Sequence, residues 1–160
     1  MLTAILMAAT ISTWRFDLEP RPTAPDRIAV QPSQTYQPGG YGFEPQATPE
    51  GFVFSAAVPE GLYRVTIRFG GAEAGRTTVK AEARRLMLRD VATAPGAYQI
   101  RSFLVHVRGP ALPPPPANAP GGTAVVLTPQ ELASRTWDDR LTLEFLDRPQ
   151  VASIDIEPVD

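Results

Sequence analysis

The stretch Leu62-Tyr63-Arg64-Val65-Thr66-Ile67-Arg68-Phe69 alternates apolar and polar side chains. Successive side chains of a strand point to opposite faces. Tyr63, Val65, Ile67 and Phe69 therefore share one side, and Arg64, Thr66 and Arg68 the other. This is the pattern of a strand with one face in a core and one in water. Upstream, Phe52, Phe54, Ala56 and Val58 repeat it, and Pro59-Glu60-Gly61 between the two runs reads as a hairpin connection. Trp14, Phe16 and Leu18 alternate with Arg15, Asp17 and Glu19 in the same way. Downstream, Gly70, Gly71 and Gly75 open a loop before an extended run, Thr77 to Val91. Val79, Ala81 and Ala83 set one face of that run while Leu86 and Leu88 continue with shifted parity, which predicts a bend or bulge near Arg84-Arg85. Tyr98 and Ile100 share a parity that Phe103, Val105 and Val107 do not, which predicts an irregularity near Ser102.

Thr123 to Leu127, Leu141 to Phe145 and Val151 to Ile156 complete about nine strands. At most one short helix is expected, from Thr128-Pro129-Gln130-Glu131, with an N-cap Thr, Pro at the first helical position and Glu at the third. The 18 prolines and 12 glycines favour turns over long helices. The run 109–122, GPALPPPPANAPGG, reads as a long stiff loop within one sandwich, because as a linker it would leave too little chain for a second core. These features predict an all-β, antiparallel β-sandwich over residues 13–160, a single domain of ordinary size for a chain of 160 residues. Residues 1–12, with the apolar run Leu2 to Ile11, suit the remnant of a signal peptide without its basic n-region. A misassigned start or a buried first strand is the alternative. The run is too short to span a membrane as a helix.

Several chemistries are excluded outright. Cysteine is absent, so there is no disulfide framework, thiolate nucleophile or Cys-containing zinc site. The single histidine, His106, sits opposite the apolar parity of its strand, as a surface histidine would. Gly-x-Ser-x-Gly and Gly-Asp-Ser do not occur, and no glycine pair belongs to a phosphate-binding loop. A net charge of −2 gives no general attraction to nucleic acid. Asp17, Glu19, Asp155 and Glu157 could supply oxygen ligands to calcium if the first and last strands adjoin. The alternative is a solvated outer face whose charges are offset by nearby arginines. No other cofactor is suggested.

Four segments occur in order: Gly40-Tyr41-Gly42-Phe43-Glu44, Val58 to Thr66, Thr78 to Leu88 and Trp137-Asp138-Asp139-Arg140-Leu141. Together they resemble the N-terminal β-sandwich of bacterial rhamnogalacturonan acetylesterase-like proteins, members of the SGNH (GDSL) hydrolases. The resemblance runs from about Phe16 to Pro158. It departs where Leu18-Glu19-Pro20 follows Phe16-Asp17 in place of a Phe-Asp-Phe-Gly-like strand end. It implies a jelly roll similar to galactose-binding domains, in a secreted or periplasmic protein. No catalytic residue of that family maps onto this chain, so the resemblance implies an accessory rather than an enzymatic role, with the parent protein a carbohydrate esterase. The implied partner is a plant cell-wall polysaccharide such as pectin, or an adjacent esterase domain that the sandwich supports without binding sugar. Under the first, Tyr41, Phe43 and Trp137 would cover sugar faces, and Arg84 and Arg85 would meet galacturonate carboxylates. Under the plainer alternatives, Tyr41 and Phe43 plug the end of the sandwich, Trp137 is core, and the arginine pair braces a bend.

Overall fold

A computed structural model describes residues 13–19, 24–45, 50–82, 84–109, 111–112, 122, 128–130 and 138–160. Ten strands are present: β1 Trp14–Asp17, β2 Ile28–Ala29, β3 Tyr41–Glu44, β4 Gly51–Ala57, β5 Gly61–Gly70, β6 Gly75–Ala81, β7 Arg85–Thr93, β8 Tyr98–Val107, β9 Arg140–Arg148 and β10 Val151–Pro158. They form two five-stranded sheets, β2-β1-β10-β5-β8 and β3-β4-β9-β6-β7. All strand pairs are antiparallel except β1 with β2, which is parallel.

The pairing is nested. The hairpin β6·β7 lies inside the pair β5·β8, that inside β4·β9, and that inside β1·β10, with successive pairs in alternate sheets. The cross-links β10·β5 and β9·β6 stitch the pairs into two layers. A chain doubled on itself and wrapped in this way is a jelly roll. Its core is the alternating set anticipated above: Tyr63, Val65, Ile67 and Phe69 of β5 are each at most 2% exposed, against Phe54, Val79, Leu141, Leu143 and Phe145 of the other sheet.

Three local expectations are corrected. Pro59-Glu60-Gly61 is not a hairpin turn, because β4 and β5 lie in different sheets and the segment arches between layers. Tyr63 holds that arch from below, its hydroxyl donating to the Pro59 carbonyl at 2.8 Å. The parity shift before Leu86 is not a bend in one strand but the hairpin turn between β6 and β7, with Glu82 at φ 50°. The register shifts in this hairpin lie between Thr77 and Lys80, where Asp90 of the facing strand takes φ 52°. Nothing irregular occurs at Ser102: β8 pairs with β5 in unbroken register from Gly61↔Val107 to Gly70↔Tyr98. Tyr98 and Ile100 face outward and stay exposed, so their shared parity never marked a core face.

Pro129 and Gln130 have helical backbone, as the cap signature predicts. Residues 1–12, Thr123 to Leu127, Trp137, residues 131–136 of the expected helix and most of the proline-rich run lie outside the described residues. No helix among the described residues is long and apolar enough to cross a membrane.

Candidate functional site

At one end of the sandwich β4 and β10 begin and β9 ends. Here a groove opens, floored by Phe43, Phe52, Pro32 and Pro149 and walled by Leu18, Val30 and Gln150. Alternation brings the rings there. Phe43 faces inward from β3 and Phe52 from β4, and because both sit near the open end neither is fully covered. Phe43 meets Phe52 edge-to-face at 5.5 Å, and Phe52 stacks on Phe145 at 4.6 Å. Such geometry fixes the floor through ring packing as well as burial.

Backbone approach fixes the rest. The loop before β3 clasps it, with Phe43 N donating to the Gln34 carbonyl at 2.7 Å and Tyr36 N to the Phe43 carbonyl at 3.0 Å. Gly42 allows this closeness, since a Cβ there would lie 2.5 Å from the Thr35 carbonyl carbon. Gln150 is anchored through Gly70 N to its carbonyl at 3.0 Å and its own N to Thr77 Oγ1 at 3.3 Å. A Cβ on Gly75 would fall 2.6 Å from Gln150 Cγ, so glycine makes room for this wall. Beyond Pro149 the floor continues into a charged depression bearing Glu50, Arg76, Asp147 and Arg148. Arg76 is paired with Asp90 at 3.0 Å. An apolar, ring-lined floor with amide, guanidinium and carboxylate groups on its rim can hold a molecule with flat apolar faces and many hydroxyls.

Of the described residues singled out in the sequence as ligand contacts, only Phe43 lines this groove. Tyr41 packs inward, 4.9 Å from Phe16 and 5.7 Å from Trp14. Arg84 and Arg85 lie at the other end of β6, about 20 Å away at the usual rise per residue of a strand. Arg84 is exposed, while Arg85 braces the neighbouring edge by donating to the His106 carbonyl at 3.2 Å. Trp137 lies outside the described residues. His106 accepts from Arg108 Nε at 2.9 Å.

The first and last strands do adjoin, with Arg15 opposite Asp155 and Asp17 opposite Ser153. Their carboxylates are engaged by cations. Arg27 meets Asp17 at 2.7 Å and Asp155 at 2.5 Å, Glu157 lies 3.5 Å from Arg15, and Glu19 takes the Tyr98 hydroxyl at 2.7 Å with Arg68 at 3.7 Å. Among the described residues no group of three or more such side chains is arranged to hold a metal ion.

Sequence reasoning passed over Phe52, Pro32 and Gln150, which alternation or turn composition assigns to core and loops. It also named Glu44, Asp138, Asp139 and Arg140 without joining them to Tyr36 in a second cluster, at the far end. Arg140 lies over the Tyr36 ring at 4.8 Å and is held by Asp138 at 3.0 Å and Glu44 at 3.2 Å. Buried Ser55 donates to Glu44 and contacts Thr142 Oγ1 at 3.1 Å. Tyr36, Asp138 and Asp139 rim a small depression there.

Fold and groove together define a jelly-roll sandwich with a ring-floored groove at one open end. No family model and no curated protein matches the sequence. Among solved structures, the protein YxiM of Bacillus subtilis is similar in fold, with a TM-score of 0.54 and 18% identity over 93% of this chain. The chain spans 40% of the length of the YxiM chain. A family 35 carbohydrate-binding module from an environmental isolate aligns with a TM-score of 0.40 and 14% identity, over 91% of this chain and 97% of that one, which is too distant to define a shared fold.

Proposed function

We propose that this chain is a non-catalytic, carbohydrate-binding accessory domain of a secreted or periplasmic hydrolase, one that resembles the rhamnogalacturonan acetylesterases and acts on pectin. The groove floored by Phe43 and Phe52 carries the reading, because aromatic rings cover the apolar faces of sugars while rim groups such as Gln150 and Arg148 take the hydroxyls. The ordered motifs of the sequence supply the choice of pectin, and the absence of a Gly-Asp-Ser nucleophile motif supports the non-catalytic role. Calorimetric titration with rhamnogalacturonan oligosaccharides tests it. Saturable binding is expected, weakened about tenfold by Phe52→Leu, which keeps apolar bulk but removes the flat ring. Absence of heat with any pectic oligosaccharide overturns it, and labelling by a serine-hydrolase probe or release of acetate overturns the non-catalytic part.

A second reading has its own observation. Leu62, Ile100 and Leu104 stand 37%, 60% and 49% exposed on the outer face of β5 and β8. These exposed apolar side chains, interleaved with Arg64, Thr66, Arg68 and Ser102, support a structural domain that packs on an esterase domain without binding sugar. Association with a separately produced esterase domain of this family, together with a flat sugar titration, is the result expected under that reading.

A further inference from the structure

Two carboxylates among the described residues are buried, and they are treated differently. Asp17 has Arg27 at 2.7 Å, whereas Glu82, 3% exposed, makes no ion pair with any described residue. Glu82 sits in the β6–β7 turn at φ 50°, a left-handed conformation that costs a residue with a Cβ. Two hydrogen bonds to one residue of β9 hold it there. Glu82 N donates to the Thr142 carbonyl at 3.0 Å, and Thr142 N donates to Glu82 Oε1 at 3.1 Å. The charged groups facing it are Asp138 from the segment before β9, Arg140 at the start of β9 and Arg85 at the start of β7. Arg140 is already committed to Asp138 and Glu44.

We propose that the Glu82 turn is a proton-operated latch, which docks the β6–β7 hairpin on β9 while the carboxyl is protonated and releases the turn when it ionises. Burial, the dominant influence, pushes this carboxyl from the ordinary 4.5 up to about 7, against the weaker pull of the Thr142 amide and the two arginines. The folded value is raised, so the latch contributes fully below the unfolded value and is lost as pH climbs through the folded one. The released segment would carry Arg84 and Arg85, and with them the brace to the His106 carbonyl.

Amide hydrogen exchange on the intact chain, corrected for intrinsic rates, reads the latch. Protection of the Glu82 and Thr142 amides is expected to fall about 30-fold between roughly pH 5.5 and 8.5, levelling off above about pH 7. Glu82→Gln, which copies the protonated form, is expected to hold protection constant across that range. A flat wild-type profile, or an unchanged slope in the variant, overturns the proposal. A carbon-13 titration of the Glu82 carboxyl gives a second readout that needs no variant. An inflection near 7 supports the latch, and one in the ordinary glutamate range overturns it.

Discussion

Arg27 is 12% exposed and ties together groups far apart in the chain, its guanidinium reaching Asp17, Asp155 and the Phe16 carbonyl at 3.0 Å. Asp17 is 1% exposed, and the Arg27 guanidinium offsets part of the cost of burying its charge. Arg27→Ala is therefore expected to cost about 3–5 kcal/mol, because it removes the cation from a buried ion-pair network with Asp17 and Asp155. Urea unfolding measures it, and a loss below about 1 kcal/mol would show that the network does not depend on Arg27. The sequence places Asp17 with Arg15 and Glu19 on a wet face, which is right for parity and wrong for burial. Beside it runs β2, two residues long and parallel to β1, too short to display any period, and Arg27 just before β2 lies on the carboxylate. Phe43 was legible as an aromatic at an end of the sandwich. Its partner Phe52 was not, since a ring half-covered at the mouth of a core follows the same alternation as one fully inside it.

Among the elements, β8 shows why parity alone misleads. Its outward residues include Tyr98, Ile100 and Leu104, so a face that meets water looks apolar in the sequence. The inward set, Val105 and Val107, is at most 2% exposed and carries the packing. The double substitution Ile100→Thr with Leu104→Thr keeps β propensity and is expected to move the unfolding free energy by less than about 0.5 kcal/mol, as an exposed site should. Denaturant midpoints check this, and a loss of several kcal/mol would mean that the pair is covered within the fold. Both this strand and β7 end their sheets, and side chains cross between the two edges: Gln99 donates to the Ala92 carbonyl at 2.5 Å, and Arg85 to His106. Occupied edge carbonyls leave less of the edge free to pair with another chain. The β6–β7 turn escaped reading because it contains none of the residues that usually mark one. Glu82 adopts its positive φ on the strength of its bonds to Thr142, a partner 60 residues away.

On the scale of the whole molecule, the nested pairing makes the stability of the sandwich depend on its first strands. The all-β class and the inward faces of β5, β9 and β10 were readable, since each run is long enough to show a period of two. The nesting was not, because it is a relation between runs that local pattern does not encode. The arch at Pro59 and a hairpin turn there have the same turn composition, for example. The consequence is physical: β1 covers one side of β10 and contributes Phe16, wholly buried against Tyr41 and Phe54, while the loop after β2 contributes Val30. A chain beginning at residue 31 would lose both strands, the Arg27 linkage and the outermost closing pair, leaving β10 as an open edge. It is expected to lose cooperative thermal unfolding, and a synthetic peptide of residues 13–30 should restore it by strand addition. Calorimetry decides the point. An unchanged, sharp transition in the shortened chain would mean that the inner pairs alone make a self-sufficient core, and that β1 only decorates it.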